Sequence, residues 1–187
     1  LERNGEAQSA AFMRQQLDQI QQQVERELSR ARAHGATAGI GLHADVIATA
    51  QRIIGLMQRM PHGSDIDWQV PATQAHAIMD ADDCGEVLGN LLDNARKWAK
   101  SKVIIDVQAA DDGKIRISVS DDGPGLPEGW LVARGSSTDG GGLGLAIVAD
   151  LIAPYGGRLA LGESALGGAS VSFDIAGTMQ ADQGEDP

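Results

Sequence analysis

Residues 84–100 read Cys-Gly-Glu-Val-Leu-Gly-Asn-Leu-Leu-Asp-Asn-Ala-Arg-Lys-Trp-Ala-Lys, and their spacing predicts a helix over Cys84–Lys100. At about 100° per residue, Glu86, Asn90, Asn94 and Lys97 fall at roughly 0°, 40°, 80° and 20°, one narrow polar face. Val87, Leu88, Leu91, Leu92, Ala95 and Trp98 cover roughly 100° to 240°. The apolar arc calls for a sheet beneath it, and the polar arc then runs alongside that contact as a row of an acid, two amides and an amine. A solvated helix face would account for Glu86 and Lys97. Two Asn residues four apart are harder to dismiss, because Asn costs stability inside a helix. Its amide oxygen is a good ligand for a hard cation, and an amide oxygen beside an ammonium group suits a Mg²⁺–phosphate complex.

The flanking segments supply the sheet. Ile66 to Val70 reads as a short strand and Ala77 to Met79 as a weaker one. Val103 to Gln108 and Lys114 to Ser120 alternate apolar and polar around Asp111-Asp112-Gly113, a hairpin signature. Leu143 to Ile152 predicts a helix stopped by Pro154 and Gly156-Gly157. Arg158 to Leu161 and Ala169 to Ile175 form a last strand pair. The expected fold is α+β, a two-layer α/β sandwich with a mixed sheet packed on helices. A long helical arm precedes it: Ala7 to Ala33 lacks Pro and Gly and carries a narrow stripe of Met13, Leu17, Ile20, Val24, Leu28 and Ala31. Such a rod needs another helix against its stripe. Leu42 to Met60 predicts a second amphipathic helix, ended by Pro61-His62-Gly63. Residues 179–187 read as a loose acidic tail.

Composition narrows the function. The chain has 187 residues and a formal charge of −11, which argues against a nucleic acid or an anionic membrane as partner. The first 60 residues carry about +1 and the rest about −12, so two regions of different character are expected. Aromatic residues make up 3%, so the core must be aliphatic. Cys84 is the single cysteine; no internal disulfide can form, and a reducing, cytoplasmic setting is the default. The longest apolar run, Leu145 to Ala149, is too short to cross a bilayer. The chain starts at Leu1 with no signal-peptide pattern, and is expected to be a piece of a longer protein.

Two glycine-rich stretches follow the polar helix. Asp121-Asp122-Gly123-Pro124-Gly125 comes directly after a strand, where a carboxylate can accept a hydrogen bond from an exocyclic amine such as that of adenine. The glycines allow a flat ring close to the backbone; an ordinary Asp-Gly turn is the plainer reading. Gly140-Gly-Gly142-Leu143-Gly144-Leu145 opens a helix whose N–H groups suit phosphate oxygens. It has neither the Gly-Lys-Ser/Thr of a P-loop nor the early βαβ setting of a dinucleotide fingerprint. Before it, Val132 to Asp139 is small and polar, as a lid over a ligand would be. Arg134, the cation in that loop, could meet a terminal phosphate.

The order of the three elements resembles the ATP-binding catalytic domain of sensor histidine kinases, in the superfamily shared with type II topoisomerases, a heat-shock chaperone and mismatch-repair ATPases. Glu86 to Trp98 is similar to the family's N box, with wording close to the PhoQ-like kinases. Asp121 to Gly125 resembles the G1 box and Gly140 to Gly144 the G2 box. The resemblance covers about residues 64–177. It implies a catalytic domain over 37–178 that binds ATP–Mg²⁺ between two helices and a lid. By position Asn94 would ligate Mg²⁺, Asn90 would assist near the phosphates, and Lys97 would contact a phosphate. Trp98 would lie by the nucleotide where the family often has Tyr. Asp121 would read the adenine amine, Gly123 and Gly125 would shape that pocket, and Gly140 and Gly142 to Leu145 would meet the phosphates. Asn90, Lys97 and Arg134 would serve the transfer itself.

Hydrolysing members of the superfamily place a Glu four residues before the Mg²⁺-binding Asn. Here that position is Asn90, which favours a kinase over an ATPase. The family's phosphoacceptor His has Pro five residues on, and none of His34, His43, His62 and His76 does; all four read as helix-end, surface or loop residues. Residues 1–36 resemble the second helix of the truncated dimerisation hairpin, through which the full-length kinase would form a homodimer, with the acceptor His outside this chain and a response regulator as the next partner. The segment before the G2 box departs from the family, with Leu131-Val132-Ala133 where a Phe-containing stretch is usual. The alternatives are a helical interaction module with a degenerate nucleotide domain, or an ATPase of the same superfamily.

Overall fold

The computed structural model describes residues 42–71, 74–126 and 141–180, excepting the side chains of 141–143. These residues fall within one unit, Gly39–Pro187. The expected arm over 1–36 lies outside them.

Two strands dominate the sheet because their alternation is the cleanest. β4 (Lys102–Ala110) and β5 (Lys114–Asp121) pair antiparallel from Val103↔Asp121 to Ala110↔Lys114. Asp112 and Gly113 sit at φ 58° and 69° between them, the left-handed pair that a tight hairpin demands. β7 (Ala169–Gln180) runs antiparallel along the other edge of β5. Its far edge is shared: β6 (Leu159–Glu163) takes Ala169 to Phe173, and β3 (Gln74–Ala77) takes Gly177 to Gln180. β1 (Ala44–Asp45) extends β3 antiparallel, and β2 (Asp67–Gln69) lies parallel to β4. Along β1-β3-β7-β5-β4-β2 the sheet is mixed, as expected.

Period two then sorts the sheet faces. Val103, Ile105, Val107, Ile115, Ile117, Val119, Val171, Phe173 and Ile175 are buried on one face. The other carries Asp106, Arg116, Ser120, Ser170 and Asp174, with a bidentate Arg116–Asp174 pair at 2.7 and 2.8 Å. Three helices cover the apolar face: α1 (Val46–Met57), α2 (Ala81–Trp98) and α3 (Gly141–Ile152). α2 packs against both of the others and against β5. Its buried residues Val87, Leu88, Leu91, Leu92 and Ala95 are five of the six on the expected arc. Trp98, the sixth, is the last residue of α2 and is 47% exposed.

Several boundaries differ from expectation. Ala44 and Asp45 form a strand, and Asp45 caps α1 by accepting from Ala48 N at 2.9 Å. The helix therefore spans Val46–Met57 rather than Leu42–Met60. β3 lies at Gln74–Ala77 instead of Ala77–Met79, since Met79 turns fully into the core. His76 accordingly sits in a strand. β7 continues to Gln180, beyond the expected domain end at residue 178, because Gln74 and Ala75 pair with Gln180 and Met179. The remainder of the expected tail, 181–187, lies outside the described residues. No described helix is long and apolar enough to cross a membrane.

Candidate functional site

α2 is held at both ends. At its start Asp80 accepts from Asp82 N and Asp83 N at 2.9 and 3.3 Å. The buried Asp83 accepts a 2.6 Å bond from the Tyr155 hydroxyl, which itself accepts from Asp80 N at 3.3 Å. Burial, then the bond to the carboxylate, pushes the Tyr155 phenol up to about 12, so it stays a donor at neutral pH. This joins the turn after α3 to the start of α2. At the other end, Arg96 donates to Pro61 O at 2.7 Å and His62 Nε2 donates to Ala99 O at 2.9 Å.

Between these anchors runs the polar face. Asn90 Nδ2 donates to Glu86 O at 2.8 Å, and its Oδ1 lies on the side of α3. A Cβ added at Gly144 would lie 3.3 Å from that oxygen, so the first turn of α3 rests against Asn90. The second amide, Asn94, is half-buried and makes no side-chain hydrogen bond to a described residue. Lys97 Nζ lies 2.7 Å from Asp93 Oδ2, and Asp93 Oδ1 accepts from Arg96 Nε and Nη2 at 3.1 and 2.8 Å. Burial alone would raise the Asp93 carboxyl, but Lys97 and Arg96 together hold it below the usual carboxylate range. The amine thus stands beside the two amides, drawn to the Asp93 side.

Asp121 closes β5 on the core face, at 4% exposure. A buried carboxylate needs donors, and Oδ1 takes two: Gly123 N at 2.8 Å and Ala169 N at 3.2 Å. Oδ2 accepts from no described residue. No fully buried side-chain oxygen or nitrogen among the described residues lacks a partner, so Oδ2 faces an opening. Glycines crowd this carboxylate. A Cβ at Gly168 would come within 2.3 Å of Asp121 Oδ1, and one at Gly123 within 2.3 Å of Trp98 O. Gly125 takes φ 82°, a backbone that favours glycine.

The structure places Asn90, Asn94, Lys97 and Trp98 on the C-terminal half of α2, with Gly144 against Asn90 and with Gly123, two residues after Asp121 and two before Gly125, against Trp98 O. Leu145 is a buried core residue, so its side chain belongs to packing and only its backbone is available to a ligand. Gly142 and Leu143 lie in the first turn of α3. Arg134, Gly140 and the loop from Val132 to Asp139 lie outside the described residues. Sequence reasoning missed Ala169 N and Gly168, which reach Asp121 across 48 positions with no local signal. It also passed over Asp122 beside Asp121. The donor set fits ATP–Mg²⁺: a free carboxylate oxygen for an amine, amide oxygens for a hard cation, and an ammonium for phosphate. Among the described residues no group of three or more His, Cys, Asp or Glu could hold a metal ion. A cation here would rest on amide oxygens and the ligand's own phosphates.

Comparison with known proteins bears on the same segment. A sequence profile described as histidine kinase-, DNA gyrase B-, and HSP90-like ATPase matches residues 79–178. The sensor protein kinase CarS of Pseudomonas aeruginosa is 41% identical over 172 residues, covering 87% of this chain and 38% of CarS. The virulence sensor histidine kinase PhoQ of Salmonella typhimurium is 31% identical over 169 residues, covering 84% of this chain and 34% of PhoQ. The chain thus spans little more than a third of these relatives. Among solved structures, the mycobacterial sensor histidine kinase MprB superposes with a TM-score of 0.64 at 28% identity, over 74% of this chain and 98% of that one. Full-length ShkA, solved in complex with AMPPNP, gives 0.62 at 30% identity, over 88% of this chain and 37% of that one.

Proposed function

Since this chain belongs to the histidine kinase-, DNA gyrase B-, and HSP90-like ATPase family, as the catalytic domain of a sensor histidine kinase, we propose that it binds ATP–Mg²⁺ and presents the γ-phosphate for transfer to a His outside the chain. What supports this reading is that the C-terminal half of α2 carries Asn90, Asn94 and Lys97 while the loop after Asp121 comes against Trp98 O at the helix end. Asp121, with Oδ1 fixed by two backbone N–H groups, offers Oδ2 to the adenine amine. Asn94 would ligate the metal, with Asn90 Oδ1 beside it against Gly144. Lys97 would meet a phosphate oxygen on release from Asp93, and Trp98 would lie along the base. Gly142 to Gly144 would offer backbone N–H groups at the start of α3. Arg134 is assigned to the terminal phosphate as the cation of the loop before α3, and Gly140 to the phosphates as part of the glycine-rich stretch that opens that helix; both assignments rest on the sequence.

In the transfer an imidazole nitrogen attacks the γ-phosphorus in line, the bond to the bridging oxygen breaks, ADP leaves and the imidazole proton departs. Mg²⁺, when bound, neutralises phosphate charge. The protein's part is to position and to exclude competing attack. Asn90 supports transfer over hydrolysis, because an amide cannot take a proton from water and its nitrogen is tied to Glu86 O. The acceptor His would lie outside this chain, a response regulator would be the separate protein that receives the phosphoryl group next, and the full-length kinase would dimerise through the hairpin to which residues 1–36 are assigned.

Titration calorimetry with an ATP analogue tests the reading. Mg²⁺-dependent binding is expected, weakened about tenfold or more by Asn94→Ala. Incubation with labelled ATP should leave this chain unlabelled. No binding at millimolar nucleotide would favour the degenerate module, and steady phosphate release lost in Asn94→Ala would favour an ATPase.

A further inference from the structure

The residue next to the adenine carboxylate makes the densest set of hydrogen bonds in this part of the molecule. Asp122 Oδ1 accepts from Lys100 N at 2.8 Å, Ser101 N at 3.0 Å and Lys102 N at 3.1 Å. Its Oδ2 accepts from Ser101 N at 3.1 Å and Ser101 Oγ at 2.8 Å. Its own N–H donates to Lys102 O at 3.2 Å. Lys100 and Ser101 lie in the short link after α2, and Lys102 is the first residue of β4. Burial would raise this carboxyl, but the Ser101, Lys102 and Lys100 donors outweigh it and hold the group well below the usual carboxylate range. It is therefore ionised wherever the protein is folded and working.

The place being clamped matters. The link begins immediately after Lys97 and Trp98, and the loop carrying Asp122 begins immediately after Asp121. Gly123, next along, already approaches Trp98 O so closely that a Cβ would stand 2.3 Å from it. The two recognition surfaces of the proposed site therefore meet at one joint, and the Asp122 carboxylate is the side chain that fastens it. We propose that Asp122 is a positioning residue of the nucleotide site: by binding the three successive N–H groups of Lys100, Ser101 and Lys102, it fixes the Asp121 loop relative to the Asn90–Asn94–Lys97 face. Asp122 does not touch the ligand; it acts through Asp121. This rests on the reading of Asp121 as the adenine acceptor.

A brace that merely stabilised the domain would change its melting temperature and leave base selectivity alone. The discriminating measurement is the ratio of affinities for the Mg²⁺ complexes of ATP and ITP, which differ in a 6-amino against a 6-oxo group. It is read by calorimetry on the 187-residue chain, with far-UV circular dichroism confirming the fold of each variant. Wild type should prefer ATP by about tenfold or more, the size expected for a hydrogen bond to a charged acceptor. In Asp122→Ala the ratio should fall to about threefold or less. Asp122→Glu keeps the charge but displaces the carboxylate by a methylene, and should lose the preference too, so it carries the test if the Ala variant does not fold. Asp122→Asn is isosteric and its single oxygen can still take the three N–H groups, so it should retain the preference. An unchanged ratio in folded Asp122→Ala or Asp122→Glu overturns the proposal, and so does its loss in folded Asp122→Asn. Wild type binding ATP and ITP equally would instead overturn the adenine reading at Asp121.

Discussion

Replacing Gly168 by Ala puts one methyl group where the chain has no room. The new Cβ would stand 2.3 Å from Asp121 Oδ1, 2.4 Å from Asp121 O and 2.5 Å from Gly123 N, against ordinary contact from 3.4 Å. Two of these are backbone atoms, and the third is a buried oxygen already holding two hydrogen bonds. Relief therefore needs a backbone shift of about 1 Å, and overpacking of this kind costs roughly 1–3 kcal/mol. The shift also pulls Ala169 N away from Oδ1, where it now sits at 3.2 Å; losing a bond to a charged acceptor costs about 1.5–3 kcal/mol. Urea unfolding should show Gly168→Ala less stable by about 2.5–6 kcal/mol, with ATP binding weakened about tenfold or more. Gly167→Ala is the control. Gly167 has φ 90° but nothing within 4 Å, so Ala there should cost about 1–2 kcal/mol of backbone strain and leave ATP binding intact. If Gly168→Ala proves no less stable than Gly167→Ala and binds ATP like wild type, the account of Asp121 is wrong.

Three further outcomes are expected. An exposed i,i+4 pair contributes about 0.3–0.5 kcal/mol, so Asp93→Asn should tighten ATP binding about twofold by releasing Lys97; calorimetry should show that gain vanish in a Lys97→Gln background. Asp122 has a lowered folded-state pKa, so its contribution is fully present above its unfolded value of about 4 and is lost as pH falls further. The stability gap between wild type and Asp122→Asn, from urea titrations, should therefore be largest at neutral pH and close under acid; a gap that widens under acid contradicts the assignment. Gly85 and Gly89 lie inside α2 with nothing within 4 Å of an added Cβ, and each change to Ala should raise stability by about 0.5–1 kcal/mol in the same titrations.

The helix that bears Asn90 and Asn94 was legible because a 3.6-residue period is local, and the β4–β5 hairpin because Asp-Asp-Gly encodes its turn. The order of the three boxes was likewise open to reading along the chain. β3 was not, since Gln74-Ala-His76-Ala77 has no β-branched or large apolar residue and owes its strand to the partner it meets. That partner was cut short for a related reason. The expected strand stopped at Ile175, but a Cβ at Gly177 would come within 2.6 Å of His76 O, so the glycine beyond that point lets β3 approach. Asp122, Gly168 and Ala169 act through contacts 20 to 48 positions away, and no period or turn signal announces such distances. Trp98 fell on the apolar arc of the wheel, but a wheel does not show where a helix ends.

The bond from Ala169 to Asp121 also sets a timetable for synthesis. Nascent chain emerging in order would expose the whole of α2 and the complete Asp121 loop well before the first residue of β7. Until that residue arrives, the carboxylate has one of its two anchors, and β5 has β4 on one side and an open edge on the other. Pairings this distant in sequence form late. A nucleotide site that needs both anchors of Asp121 would therefore be complete only once the first residue of the last strand is in place.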